Sequence, residues 1–148
     1  MTDLRELYQD IILDHNRHPR NHRCMEAATR LAQGYNPVCG DKLTVYLKVI
    51  DSCIQDISFM GCGCAISQAS ASLMTDALKG KTVEEAHGIF ERFHTMLTTE
   101  GELPLVELDK LTVLAGVRLF PVRVKCATLA WHTLEAALKK DDLIVTTE

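Results

Sequence analysis

The sequence predicts one α+β domain: a small antiparallel sheet of about three strands covered by several helices. Three observations carry this. Residues 43–50 alternate apolar and polar side chains, and 54–59 do so less cleanly, on either side of a short polar turn. That two-residue period is the mark of paired, half-buried strands. Helical spacing and capping signatures occupy the chain before the strands and again after them. An order of helix, strands and then helices fits an antiparallel sheet with helices laid over it. At 148 residues the chain can bury one sizeable core. The expected division is a single domain over 1–140 and a flexible tail over 141–148.

The first helix is expected over residues 4–15, where Leu4, Leu7, Tyr8 and Ile11 recur at helical spacing and Asp3 with Glu6 forms a capping pair. Pro19 ends it. His15, His18 and His22 then read as a solvated, helix-terminal cluster and not as metal ligands. Residues 26–34 suit an edge strand. The turn Asp51-Ser52-Cys53 joins the two clearer strands into a hairpin, and Cys53 reads as a structural turn thiol. From Cys64 the pattern becomes helical, with Ile66, Ala69, Leu73 and Ala77 on one face and Gly80 as the stop. Thr82 and Glu85 form a capping box for a third helix with an apolar stripe of Val83, Ala86, Phe90, Phe93 and Leu97. His87 and His94 on that helix read as a surface pair. A loop over 98–104 and a short helix over 108–115, ended by Gly116, come next. The last helix starts at Pro121, a first-turn residue, and buries Leu129, Ala130, Thr133, Leu134 and Ala137.

Sixteen Lys and Arg against 20 Asp and Glu leave a charge of −4, which argues against nucleic acid or an anionic membrane as partner. The start Met1-Thr2-Asp3-Leu4-Arg5-Glu6 lacks the order of a signal peptide, so a cytoplasmic setting is expected. There, six cysteines point to metal or sulfur chemistry more than to disulfides.

The segment Asn36-Pro37-Val38-Cys39-Gly40-Asp41 sets a thiol and a carboxylate two residues apart around a glycine. Glycine permits the tight backbone path that lets neighbouring side chains converge. Cys64, at the start of the second helix, and Cys126, in the first turns of the last, stand at positive helix ends that favour thiolate. Three thiolates and one carboxylate make a four-coordinate site. The hard oxygen of Asp41 suits a soft metal poorly and would make the site labile. Spacings of 25 and 62 residues between these cysteines carry no zinc-ribbon signature, so a shared metal site and scattered core thiols stand level on residue chemistry alone.

Longer motifs add a resemblance. Leu13-Asp14-His15 with His18-Pro19-Arg20-Asn21 is similar to the opening signature of the U-type iron–sulfur cluster assembly proteins, the IscU, SufU and NifU N-terminal group. So are Asn36 to Asp41, Gly63-Cys64-Ala65-Ile66-Ser67-Gln68-Ala69-Ser70, and Arg123-Val124-Lys125-Cys126-Ala127-Thr128-Leu129-Ala130-Trp131. The resemblance covers about residues 4–139 and implies a SufE/NifU-like fold with Cys39, Asp41, Cys64 and Cys126 as ligands. Cys62 is left as an extra thiol, read as incidental, with a spare sulfur carrier as the alternative. Three departures from the IscU pattern resemble SufU: Lys125 in place of a histidine, Leu119-Phe120-Pro121-Val122-Arg123 in place of Leu-Pro-Pro-Val-Lys, and a longer stretch between Cys64 and Cys126.

That likeness implies a zinc-binding acceptor of persulfide sulfur. Cys39 is the acceptor thiol, Lys125 is either an auxiliary charge or a solvated lysine, and a cysteine desulfurase is the donor. Downstream scaffolds or apo iron–sulfur proteins are the recipients, and no independent catalytic centre is evident. The alternatives are a scaffold that holds iron or a transient [2Fe–2S] cluster, and a zinc-stabilised interaction module without sulfur chemistry. A thiol oxidoreductase is disfavoured because the chain has no Cys-x-x-Cys.

Overall fold

In the computed structural model, residues 4–98, 109–139 and 144–146 are described. The elements are α1 (Leu4–Arg17), β1 (Arg30–Asn36), β2 (Asp41–Ile50), β3 (Cys53–Cys62), α2 (Ala65–Leu78), α3 (Val83–Thr98), a 3₁₀ helix (Asp109–Leu119), α4 (Pro121–Lys139) and β4 (Ile144–Thr146). The sheet order is β3-β2-β1-β4, with β1, β2 and β3 antiparallel. Asp51 and Ser52 both take positive φ, 52° and 62°. Two such residues give the turn whose twist matches a two-residue hairpin.

Strand parity decides what the sheet offers to the helices. On β2, Asp41, Leu43, Val45 and Leu47 are all buried, and on β1 so are Ala32, Gly34 and Asn36. Side chains at every second position share a face, so the face that carries the aliphatic core also carries Asn36 and Asp41 at its end. Those two residues are register partners. The four residues between them are therefore the tip of the β1–β2 hairpin, with Gly40 at φ 72°.

Helices α2 and α4 lie on this face. Trp131 is fully buried, stacks on Phe93 with ring centroids 4.6 Å apart, and donates from Nε1 to Ser70 Oγ at 3.2 Å. The Ser70 hydroxyl in turn donates to the carbonyl of Ala127 at 2.5 Å. This chain of donors satisfies the indole N–H inside an apolar core and fixes α2 against α4. Gly34 allows the close approach of β1 to α4, since a Cβ there would run into Thr133 Oγ1 and Leu129. The capping box at α3 is reciprocal: Glu85 N donates to Thr82 Oγ1 and Thr82 N to Glu85 Oε1, each at 3.1 Å.

Four expectations change. Ile144–Thr146, assigned by sequence to the flexible tail, form β4 and pair in parallel with β1. Their β-branched run suits a strand, and β1 offers an otherwise open edge. Accordingly β1 is not an edge strand, and it runs later than 26–34. The short helix expected over 108–115 is a 3₁₀ helix that continues through Gly116 to Leu119, because glycine within a helix weakens it without ending it. His15 is buried and not solvated: its Nδ1 lies 2.7 Å from Ser72 Oγ, in the space that a small residue on α2 leaves for the imidazole. His18 and His22 are exposed. Most of the loop expected at 98–104, the Asp3 cap and the side chains of Leu4, Glu6, Leu7 and Tyr8 lie outside the described residues.

His87 and His94 do not form a pair with each other. His87 lies 3.0 Å from Glu135 and 3.1 Å from Glu91, while His94 meets His132 of α4 with ring centroids 5.7 Å apart. Burial lowers the His132 pKa below its ordinary 6.5, and His94 adds to the effect. A group whose native pKa is depressed in this way binds its proton more readily in the unfolded chain. The α3–α4 contact is thus at full strength above pH 6.5 and weakens as pH falls from there through the lower native value. Thermal melts of the unaltered protein and of His132→Gln between pH 7.5 and 5 check this. The unaltered protein is expected to lose Tm more steeply than the variant.

Candidate metal and thiol centre

Three segments meet at one end of the helix-covered face. The first is the hairpin tip. Asn36 shapes it by accepting the Val38 N–H on its Oδ1 at 3.2 Å, a local turn bond typical of asparagine. Its Nδ2 points inward, 3.4 Å from Asp41 Oδ2 and 3.6 Å from Cys126 Sγ. The second segment is the β3–α2 junction. Cys64 is the N-cap of α2, with φ −71° and ψ 165°, and its Sγ accepts the Ser67 N–H at 3.4 Å. Its own N–H donates to Asp41 Oδ1 at 2.8 Å. Gly63 makes room for this bond, since a Cβ at that position would collide with the Asp41 carboxylate. The third is the first turns of α4, which bury Cys126 completely.

Cys126 is the hub. Its Sγ lies 3.0 Å from Cys39 Sγ and 3.7 Å from the carbonyl of Val122. Burial pushes its thiol pKa far up, and hydrogen bonds with Cys39, Asp41 and Cys64 push it the same way. A cation bound here would have to displace the thiol proton. Ligand atoms of Cys39, Asp41 and Cys126 all lie within 4.8 Å of one another, the one such group of three or more His, Cys, Asp or Glu among the described residues. Cys64 is outside that mutual set, although its side chain reaches Cys126. Two sulfurs and a carboxylate oxygen in a water-poor pocket fit a zinc or iron ion. Among the described residues the fully buried Asp41 carboxyl meets only uncharged donors, the Cys64 N–H, the Asn36 amide and the Cys126 thiol, so a cation beside it would be a favourable neighbour.

The centre opens on one side. A cleft of about 700 Å³ is lined by Cys39 and Cys64, by Arg123, and by a lip of Val38, Leu119, Phe120 and Val122. Cys39 is half-buried there. Arg123 Nη1 stands 4.0 Å from Cys39 Sγ, and its pKa is raised by a hydrogen bond with Cys126 and, where the sulfurs are thiolates, by the charge of Cys64, Cys126 and Cys39. Lys125 is exposed on the same turn of α4. Cys62 ends β3 as an exposed thiol opposite Lys42. Cys53 donates to the Gly80 carbonyl at 3.7 Å, as a structural thiol would.

Asn36 and Arg123 are absent from the site drawn from sequence. Both carried a signal. Asn36 is as far before the tip as Asp41 is behind it, and Arg123 precedes Cys126 by three residues, which puts both on one helix face.

Comparison with known proteins gives a consistent picture. The family model described as NifU-like N terminal domain matches residues 7–144. The chain is 39% identical over 140 residues to the iron–sulfur cluster assembly scaffold protein IscU of Streptococcus pyogenes serotype M1, covering 95% of this chain and 87% of that one. It is 37% identical over 141 residues to the zinc-dependent sulfurtransferase SufU of Bacillus subtilis strain 168, covering 95% of both. The crystal structure of an iron–sulfur cluster assembly scaffold protein for the SUF system from Fervidobacterium islandicum AW-1 superposes with a TM-score of 0.82 at 36% identity. That match covers 87% of this chain and 94% of the other. Among the described residues no helix is long and apolar enough to cross a membrane.

Proposed function

We propose, from the premise that this chain belongs to the family of NifU-like N-terminal domains, that it serves iron–sulfur cluster assembly as the acceptor of sulfur from a protein persulfide. The observation that carries this reading is the position of Cys39. Its thiol sits at a hairpin tip, half-buried in an open cleft and 3.0 Å from a fully buried partner thiol. A thiol meant only to hold structure gains nothing from such access.

Cys39, Asp41, Cys64 and Cys126 are the proposed ligands of Zn²⁺, which when bound supplies the positive charge that keeps these thiols deprotonated. The chain's own residues do the rest. Asn36 and the Cys64 N–H orient Asp41, and the hairpin tip presents Cys39 to the cleft. Cys39 Sγ attacks the outer sulfur of the donor persulfide, forming a new S–S bond. The donor's S–S bond breaks, and its electron pair leaves on the donor sulfur. A cysteine desulfurase is the proposed donor; apo iron–sulfur proteins or a further scaffold are the proposed recipients, in a cytoplasmic setting. Lys125, exposed on the same turn of α4, is the proposed auxiliary positive charge.

A second reading has support in the likeness to the IscU scaffold. The same four residues would hold iron or a [2Fe–2S] cluster as cargo. Incubation with a cysteine desulfurase and cysteine, followed by peptide mass mapping, separates the two. Added sulfur on Cys39 supports the acceptor. No adduct, together with a stoichiometric, transferable cluster after anaerobic reconstitution, supports the scaffold.

Asp41→Ala tests the role of the hard ligand. Removing the oxygen leaves a more uniformly soft donor set, so metal release to a competing chelator is expected to slow. The Cys64 N–H loses its acceptor, at about 1–3 kcal/mol of stability. Faster release than from the unaltered protein contradicts this role for Asp41.

A further inference from the structure

We propose that Arg123 is the anion-recognition residue of this centre: its guanidinium binds the negatively charged sulfur of an incoming persulfide and holds it against Cys39 Sγ. The inference rests on the reading of Cys39 as a sulfur acceptor and names the class of its substrate, an anionic sulfane-sulfur donor.

Geometry comes first. Arg123 Nη1 is 4.0 Å from Cys39 Sγ and shares its cleft, so an anion placed for attack by Cys39 also meets the guanidinium. The second observation is energetic. Arg123 is the third residue of α4, a helix with no acidic residue in its first turn. A cation there faces the positive end of the helix, where the dipole disfavours it relative to a neutral residue. Local preference is thus broken beside the reactive thiol, where function is the expected cause. The third observation is the lip. Leu119 and Phe120 are 74% and 61% exposed beside the guanidinium. A partner covering these side chains removes water from the cleft, and a charge pair strengthens as the effective dielectric falls.

The chemistry balances in this arrangement. The Cys39 thiolate and R–S–S⁻ become Cys39–S–S⁻ and R–S⁻. A bond forms between Cys39 Sγ and the outer sulfur, the donor S–S bond breaks, and its electron pair leaves on the donor sulfur, which takes a proton from water. The negative charge of the transferred sulfur remains beside Arg123. No oxidant or reductant is needed, because the sulfane sulfur moves at its own oxidation level.

The test compares alkylation of Cys39 by iodoacetate, an anion, and by iodoacetamide, its neutral analogue. Adducts are mapped to Cys39 in protein of measured zinc content. The iodoacetate to iodoacetamide rate ratio is expected to fall about 3- to 10-fold in Arg123→Gln. Arg123→Lys, which keeps the charge, is expected to restore most of it. Added salt should lower the ratio in the unaltered protein and much less in Arg123→Gln. A merely structural Arg123 would change both rates together and leave the ratio fixed. An unchanged ratio in Arg123→Gln overturns the proposal, even if Cys39 accepts sulfur. Whether it does so is read separately from the mapped sulfur adduct, so the two can fail independently.

Discussion

Replacing Cys39 by serine is expected to lower sulfur uptake from a desulfurase by at least about 100-fold while the domain stays folded. A serine hydroxyl fits the same half-buried place at the hairpin tip, but it is a far weaker nucleophile than a thiol and offers no sulfur to carry a persulfide. The structural loss is small, because the polar neighbours of Cys39 are Cys126 Sγ and, at 4.0 Å, Arg123. Mass spectrometry after incubation with desulfurase and cysteine reads the uptake, and a thermal melt confirms the fold. A plain zinc-stabilised module predicts the opposite: Cys39→Ser retains biological activity for as long as the domain is folded.

Cys126→Ser is expected to have the largest effect on metal affinity. Structural zinc sites are worth about 10–16 kcal/mol, carried here mainly by the soft thiolates, so loss of one thiolate weakens binding at least about 100-fold. Cys126 is the hub on which Cys39, Asp41 and Cys64 all bear, which makes its loss harder to offset than that of a rim residue. Fold stability should change far less, because an exchange of sulfur for oxygen at a fully buried position leaves little empty volume. Competition with a chromophoric chelator measures the first effect and a denaturant melt the second. Wild-type affinity in Cys126→Ser contradicts its role as a ligand.

Much of this centre was legible in the sequence because local rules set it. Pro37 and Gly40 marked Cys39 as a loop residue, the change from alternating to helical period placed Cys64 at a helix start, and Pro121 did the same for Cys126. The burial of Asp41 was legible too, since the alternation of Leu47, Val45 and Leu43 carried back two more residues lands on it. What stayed hidden depends on which elements pack together. Asn36 bridges Asp41 and Cys126 across 90 residues of chain, and periodicity fixes faces without fixing partners. His15 was misread for the same reason: its burial depends on Ser72, 57 residues away. β4 was missed because three residues are too few to show a period, and its partner β1 lies more than 100 residues earlier.

The metal centre and the sulfur chemistry both require three sulfurs and one oxygen from three distant segments to meet around one ion. X-ray absorption at the zinc edge of the zinc-loaded protein reads that shell directly. Three sulfur scatterers and one oxygen are expected, with one sulfur lost in Cys126→Ser. A shell with a single sulfur, or one that Cys126→Ser leaves untouched, contradicts the convergence of these side chains on one ion.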